Sequence, residues 1–148
     1  MIRHSRLILA LVTILTTASC SDLRVKMAVF NSAAEARQGG AIAAGWVPEG
    51  IPPAATDLRA GYMPDGRQWG VFAFRAADEA AVRALMREEI TAGPLQCDPP
   101  GRLEFWPRVL RTPIDLEQVR STGFRVYRAF DGRHYAINWG QGRAYYWR

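Results

Sequence analysis

The chain has 148 residues, 49% of them hydrophobic and 22% charged, with two cysteines and two histidines. That length allows one small domain, and the composition is globular rather than that of a disordered chain. The formal charge of +5 loses most of its meaning once Arg3 and Arg6 are set aside, because seventeen basic and fourteen acidic side chains then remain, without a basic run. A nucleic-acid surface needs clustered charge, so that class of partner is excluded.

Residues 1–19 have the order of a leader. Arg3 and Arg6 are followed by an apolar stretch, Leu7 to Leu15, too short to cross a bilayer core of roughly 30 Å as a helix. Thr17-Ala18-Ser19-Cys20 closes it, and this run resembles the lipobox of bacterial lipoproteins, with Thr17 where that family prefers Leu. The resemblance implies cleavage before Cys20, acyl chains attached through its thiol, and an effectively permanent membrane anchor facing the periplasm. Ser21 after the cysteine implies the outer membrane over the inner by the same resemblance. The plainer alternatives are an ordinary secretory signal with an incidental Cys20, or an uncleaved anchor.

A tether over 20–30 then leads to one α+β domain over 31–148. Ser32-Ala-Ala-Glu35 has the capping-box spacing and predicts a short helix over 33–41, stopped at Gly39-Gly40. Pro48, Pro52 and Pro53 forbid a regular element between Trp46 and Thr56. A hairpin follows: Leu58 to Met63, a Pro64-Asp65-Gly66 turn, then Gln68 to Arg75, whose two apolar faces place it inside the sheet. Asp78 is the expected cap of the main helix, about 78–91, with Val82, Leu85, Met86 and Ile90 at helical spacing.

Arg102 to Leu110 reads as a strand interrupted by Pro107, and Thr112-Pro-Ile-Asp115 as the start of a second short helix ending near Ser121, before Gly123. The tail reads as a meander of three strands, Phe124–Phe130, Arg133–Trp139 and Ala144–Arg148, joined by turns at Asp131-Gly132 and Gly140-Gln-Gly142. The expected fold is therefore an antiparallel sheet of five or six strands with one main helix and two short ones.

Three segments carry a second resemblance: Phe30 through Gly45-Trp46-Val47-Pro48, Ile51-Pro52-Pro53-Ala-Ala-Thr56, and Ala144-Tyr-Tyr-Trp147. Together they resemble a group of small, uncharacterised proteobacterial lipoproteins over most of residues 28–148. What this implies is a shared fold, with no activity to carry over. Trp46, Pro48, Pro52 and Pro53 have structural work available, closing one end of the sheet and stiffening the loop over it.

Residues able to exchange protons near neutrality are scarce. His134 is the only histidine after the leader, which excludes a multi-His metal site, and Cys97 is the only thiol besides Cys20. A Cys97–His134 thiolate–imidazolium pair would be the one route to a small envelope enzyme, against the plainer reading of Cys97 as a small apolar residue. Asp65, Asp78, Asp115 and Asp131 fall where turns and helix starts need acceptors, which leaves few acids for catalysis. No cofactor-binding pattern is present.

The remaining signal is aromatic: Tyr127, Tyr135, Trp139, Tyr145 and Trp147 crowd the terminal meander and alternate between its faces. The favoured expectation is a lipid-tethered, non-enzymatic binding or accessory module using that surface against an envelope protein or a glycan. An inhibitor or immunity-like role would share the architecture, and cross-strand packing would absorb the same rings.

Overall fold

In the computed structural model the protein is described over residues 25–100 and 103–148, so the leader and Cys20 lie outside the described residues. Ten elements follow in chain order: β1 Lys26–Ser32, α1 Ala33–Gln38, β2 Thr56–Tyr62, β3 Gln68–Ala73, α2 Glu79–Leu85, β4 Met86–Glu89, α3 Leu116–Ser121, β5 Arg125–Ala129, β6 His134–Asn138 and β7 Arg143–Trp147. Among the described residues the strands form one seven-stranded sheet in the order β1-β2-β3-β7-β6-β5-β4. Every neighbouring pair is antiparallel. The chain leaves β3 in the middle, passes through α2 to the far edge, and returns strand by strand until β7 lies against β3.

The expected class holds in outline, but seven strands replace five or six. Two strands stand where none was expected. Lys26–Phe30, read as tether, belongs to β1, which pairs with β2 from Lys26↔Tyr62 to Ser32↔Thr56 and sends Phe30 onto the core. The main helix stops at Leu85, because Met86 turns extended (φ −84°, ψ 131°) and the next residues pair with β5. Without them β5 would expose an unpaired edge; with them its backbone groups are satisfied, and Arg128 and Arg125 find Glu88 and Glu89 at 3.4 and 3.6 Å.

One expected strand is missing. Residues 103–110 make a turn and a single 3-10 turn at Arg108–Leu110, since Pro107 can offer no donor and the Trp106 indole donates to the Leu110 carbonyl at 2.9 Å instead. The caps also differ in part. Ser32 accepts from Glu35 N at 3.1 Å as the capping box requires, and the Glu35 carboxylate reaches back to Asn31 N. Asp78 makes no cap and pairs with Arg75 at 2.9 Å. The helix expected from Thr112 begins at Leu116, capped by Asp115 through Glu117 N and Gln118 N. The turns fall as read, with Gly66, Gly132 and Gly142 all at positive φ.

Both faces of the sheet are covered. On the first, Leu58, Phe72, Tyr135, Ile137 and Tyr146 pack beneath α1, the 39–55 loop and α2, which contribute Ala36, Val47, Ile51 and Val82. On the second, Trp69, Val126, Ala136 and Trp147 lie under the long 90–124 connection through Leu95, Leu103, Trp106, Leu110 and Val119. Strand alternation delivers β3, β6 and β7 to both cores at once, and these strands supply the largest buried side chains. Among the described residues no helix is long and apolar enough to cross a membrane.

Candidate functional site

The 39–55 loop is positioned from its ends. α1 stops at Gly39-Gly40, and Ala41 N bonds back to Ala36 O at 3.0 Å, folding the loop onto the first face. Val47, Pro48, Ile51 and Pro52 are buried there, while Pro53 is exposed at the bend. The Trp46 ring stacks on Tyr62 with centroids 3.8 Å apart and planes 10° from parallel, and the Trp46 carbonyl accepts from the Tyr146 hydroxyl at 2.9 Å. Trp46 thus lies against Tyr62 at the end of β2, and Pro48 and Pro52 are buried in the loop over the first face.

The meander's aromatics divide into two groups. Tyr135 and Trp147 are core residues, Tyr135 facing the first cover and Trp147 the second, where its indole donates to Gln96 O at 3.0 Å. Tyr145 is half-buried between Trp106 and Phe124, with centroids at 5.6 and 5.7 Å. All three are taken up in packing, Tyr135 under the first cover and Tyr145 and Trp147 under the 90–124 connection. Tyr127 and Trp139 remain partly exposed beside α2. The Trp139 indole donates to the Tyr127 hydroxyl at 2.9 Å, and the Arg83 guanidinium lies 3.9 Å over the Trp139 ring. Arg83 was not evident in the sequence as part of this patch; it is set there by α2 and held by Glu79 at 2.7 Å.

Cys97 and His134 are each engaged separately. Cys97 is buried and free, its backbone N–H donates to Thr112 Oγ1 at 3.0 Å, and burial pushes its thiol up to about 12. His134 stacks on Trp147 at 5.3 Å, and burial, followed by the charge of Arg128, lowers its pKa. Both shifts favour neutral groups, the reverse of what a thiolate–imidazolium pair requires. No group of three or more His, Cys, Asp or Glu side chains that could hold a metal lies among the described residues.

A cleft of about 330 Å³ opens between the 42–50 loop, α2 and the β5–β6 turn. Arg133 forms its inner corner. Only 7% exposed, it donates to Asp131, to Gln68 Oε1 and to the Gly45 carbonyl at 2.7 Å, tying the β5–β6 turn to β3 and to the loop. Two residues along β6, Tyr135 lies on the same wall. Phe130 stands at the rim, 72% exposed. Sequence reading had Asp131 only as a turn acceptor and missed Arg133. The available signal was an arginine placed in phase with Tyr135 and Ile137, on the inward face of a strand.

Fold and cleft together define a small antiparallel α+β module, covered on both faces and offering a ligand-sized recess beside an Arg–Trp–Tyr patch. Residues 25–72, from the start of β1 almost to the end of β3, match the family model described as the YbbD head domain. The match covers less than half of the chain and is a similarity of that part. It begins at Val25, in agreement with β1 belonging to the domain. No curated protein and no solved structure matches the chain.

Proposed function

We propose that this chain is a membrane-anchored envelope lipoprotein whose folded domain is a non-enzymatic binding or accessory module. The anchor reading rests on Thr17-Ala18-Ser19-Cys20 behind the Leu7–Leu15 stretch. β1 begins only six residues after Cys20, so an acylated cysteine would hold the domain within about 20 Å of the lipid surface. The resemblance to small proteobacterial lipoproteins over 28–148 supports the same reading, as does similarity of 25–72 to a family described as a head domain. Ser21 favours the outer membrane.

The observation that carries the binding reading is the Arg83–Trp139–Tyr127 patch, a cation set over the Trp139 ring and two half-exposed rings, Tyr127 on β5 and Trp139 just after β6. It suits an envelope protein or glycan partner. Cys97 and His134, by contrast, are held neutral inside their own packing. The test is metabolic labelling with an alkyne-bearing palmitate analogue in the native host. Label on the wild-type chain, lost together with membrane retention in Cys20→Ser, supports the proposal; an unlabelled chain that washes free of membranes contradicts it.

A further inference from the structure

Given the acylated Cys20 proposed above, we infer that the domain rests on the bilayer surface along its β1 edge, seating Met27, Val29 and Phe105 at headgroup level and turning the Arg83–Trp139–Tyr127 patch away from the membrane. Among the described residues three large hydrophobic side chains are exposed, and two of them, Met27 at 49% and Val29 at 69%, lie on β1. They stand seven and nine residues after Cys20 in the chain.

Strand alternation explains how these side chains come together. It sends Phe30 toward the first core and Val25, Met27 and Val29 to the second face. A β-carbon on Gly61 would lie within 3.7 Å of Val25, Met27 and Leu103, so these three converge over the β2 backbone. Beyond them the 90–124 connection no longer covers the sheet, and an open trough of about 510 Å³ remains between β1 and the 103–105 turn, with Val29 and Phe105 on its apolar wall. Single apolar side chains on a surface need no explanation, whereas a contiguous set on an outer strand marks a contact.

The tether selects the lipid surface as the occupant. Val25 lines the trough and is five residues past Cys20, a reach of at most about 17 Å. An acylated Cys20 therefore keeps the trough beside the bilayer, and because the anchor already holds the two together, modest apolar burial is enough to fix the orientation. The contact is shallow. β1 is the outer strand, and its open backbone groups need water or headgroups, which the hydrocarbon cannot supply. Arg59, paired with Asp57 at 3.3 Å, and Glu104 bring opposite charges to the rim, so apolar insertion rather than net charge holds the face down. Tyr127 and Trp139 pack on the first core, and β5 lies five strands along from β1, roughly 24 Å across the sheet. The patch thus occupies the opposite corner and faces a partner on the side away from the lipid.

The test uses the full-length chain, matured in a bacterial envelope, extracted in detergent and reconstituted into vesicles of phosphatidylethanolamine and phosphatidylglycerol that carry a lipid with a nitroxide near the top of its acyl chain. An environment-sensitive fluorophore is attached at Met27→Cys, at Val29→Cys or, as the far-edge reference on β4, at Arg87→Cys; all three positions are exposed, so the fold tolerates the label. The expected result is a chain that floats with the vesicles and nitroxide quenching at positions 27 and 29 at least about threefold stronger than at 87, unchanged by raised salt. Equal quenching at the three positions, or quenching that disappears in high salt, would overturn the orientation and leave the anchor standing. So would a blue-shifted but unquenched label at position 27, which would put a second copy of the chain over β1. A chain that does not float would overturn the anchor, and this orientation with it.

Discussion

A β-carbon placed on Gly70 would lie 2.1 Å from Cζ of Tyr146, well inside any tolerable contact. The two residues are directly opposed in the β3–β7 pairing, and the missing side chain lets the Tyr146 ring lie across β3 and reach the Trp46 carbonyl. Both strands are central to the sheet, so this glycine joins the C-terminal meander to the loop that covers the first face. Gly70→Ala is expected to cost about 1–3 kcal/mol by overpacking a ring that has nowhere to move. Tyr146→Phe removes only the hydroxyl bond and is expected to cost about 1 kcal/mol. Denaturant unfolding of the two variants checks the order.

Cys97 is expected to be chemically silent in the native state. A thiol pushed up to about 12 from an ordinary 9.0 loses roughly a thousandfold in thiolate at pH 8, before any steric protection by the core is added. Iodoacetamide labelling at pH 8 should therefore be slow in buffer and fast in denaturant. Rapid native labelling would show that the 90–124 connection does not bury this residue.

His134 sets an acid-side dependence of stability. Its pKa is lowered in the fold, chiefly by burial and then by Arg128, so the folded chain resists a proton that the unfolded chain accepts. This contribution is fully present above about pH 6.5 and is lost as the pH falls toward the lower folded value. The Tm of wild type is expected to fall between pH 7.5 and 5.5, and His134→Phe, which keeps a ring against Trp147, should show a smaller fall over the same interval.

Arg83→Ala removes the guanidinium from the Trp139 ring and breaks the pair with Glu79. Both interactions are near the surface, so the expected loss is about 1 kcal/mol in denaturant unfolding. Tryptophan emission should also respond, since Trp139 loses the cation stacked over it.

How far the sequence carried depended on whether a structural cause was local. The hairpin around Asp65-Gly66, the meander turns at Asp131-Gly132 and Gly140-Gln-Gly142, and the Ser32 cap were legible because the residues that form them are adjacent in the chain. β4 was not, because Val82, Leu85, Met86 and Ile90 satisfy a helical period, and only pairing with β5 decides otherwise. β1 was hidden behind a tether reading, since its partner Leu58 lies 28 residues away from Phe30. Pro107 was noticed as an interruption, but that the segment leaves the sheet to cover it depends on Trp106 binding Leu110 O. The same limit applied to the site. Trp139 and Tyr127 were singled out, whereas Arg83 and the Arg133–Tyr135 cleft arise from long-range packing that no local pattern announces.

The membrane anchor is the claim on which compartment, maturation and partner class all depend. Intact-mass and N-terminal peptide mass spectrometry of the protein purified from its native envelope tests it directly. The account predicts a chain beginning at Cys20 and carrying a thioether-linked diacylglycerol. A chain still bearing residues 1–19, or one starting at or after Cys20 without fatty acid, would contradict it.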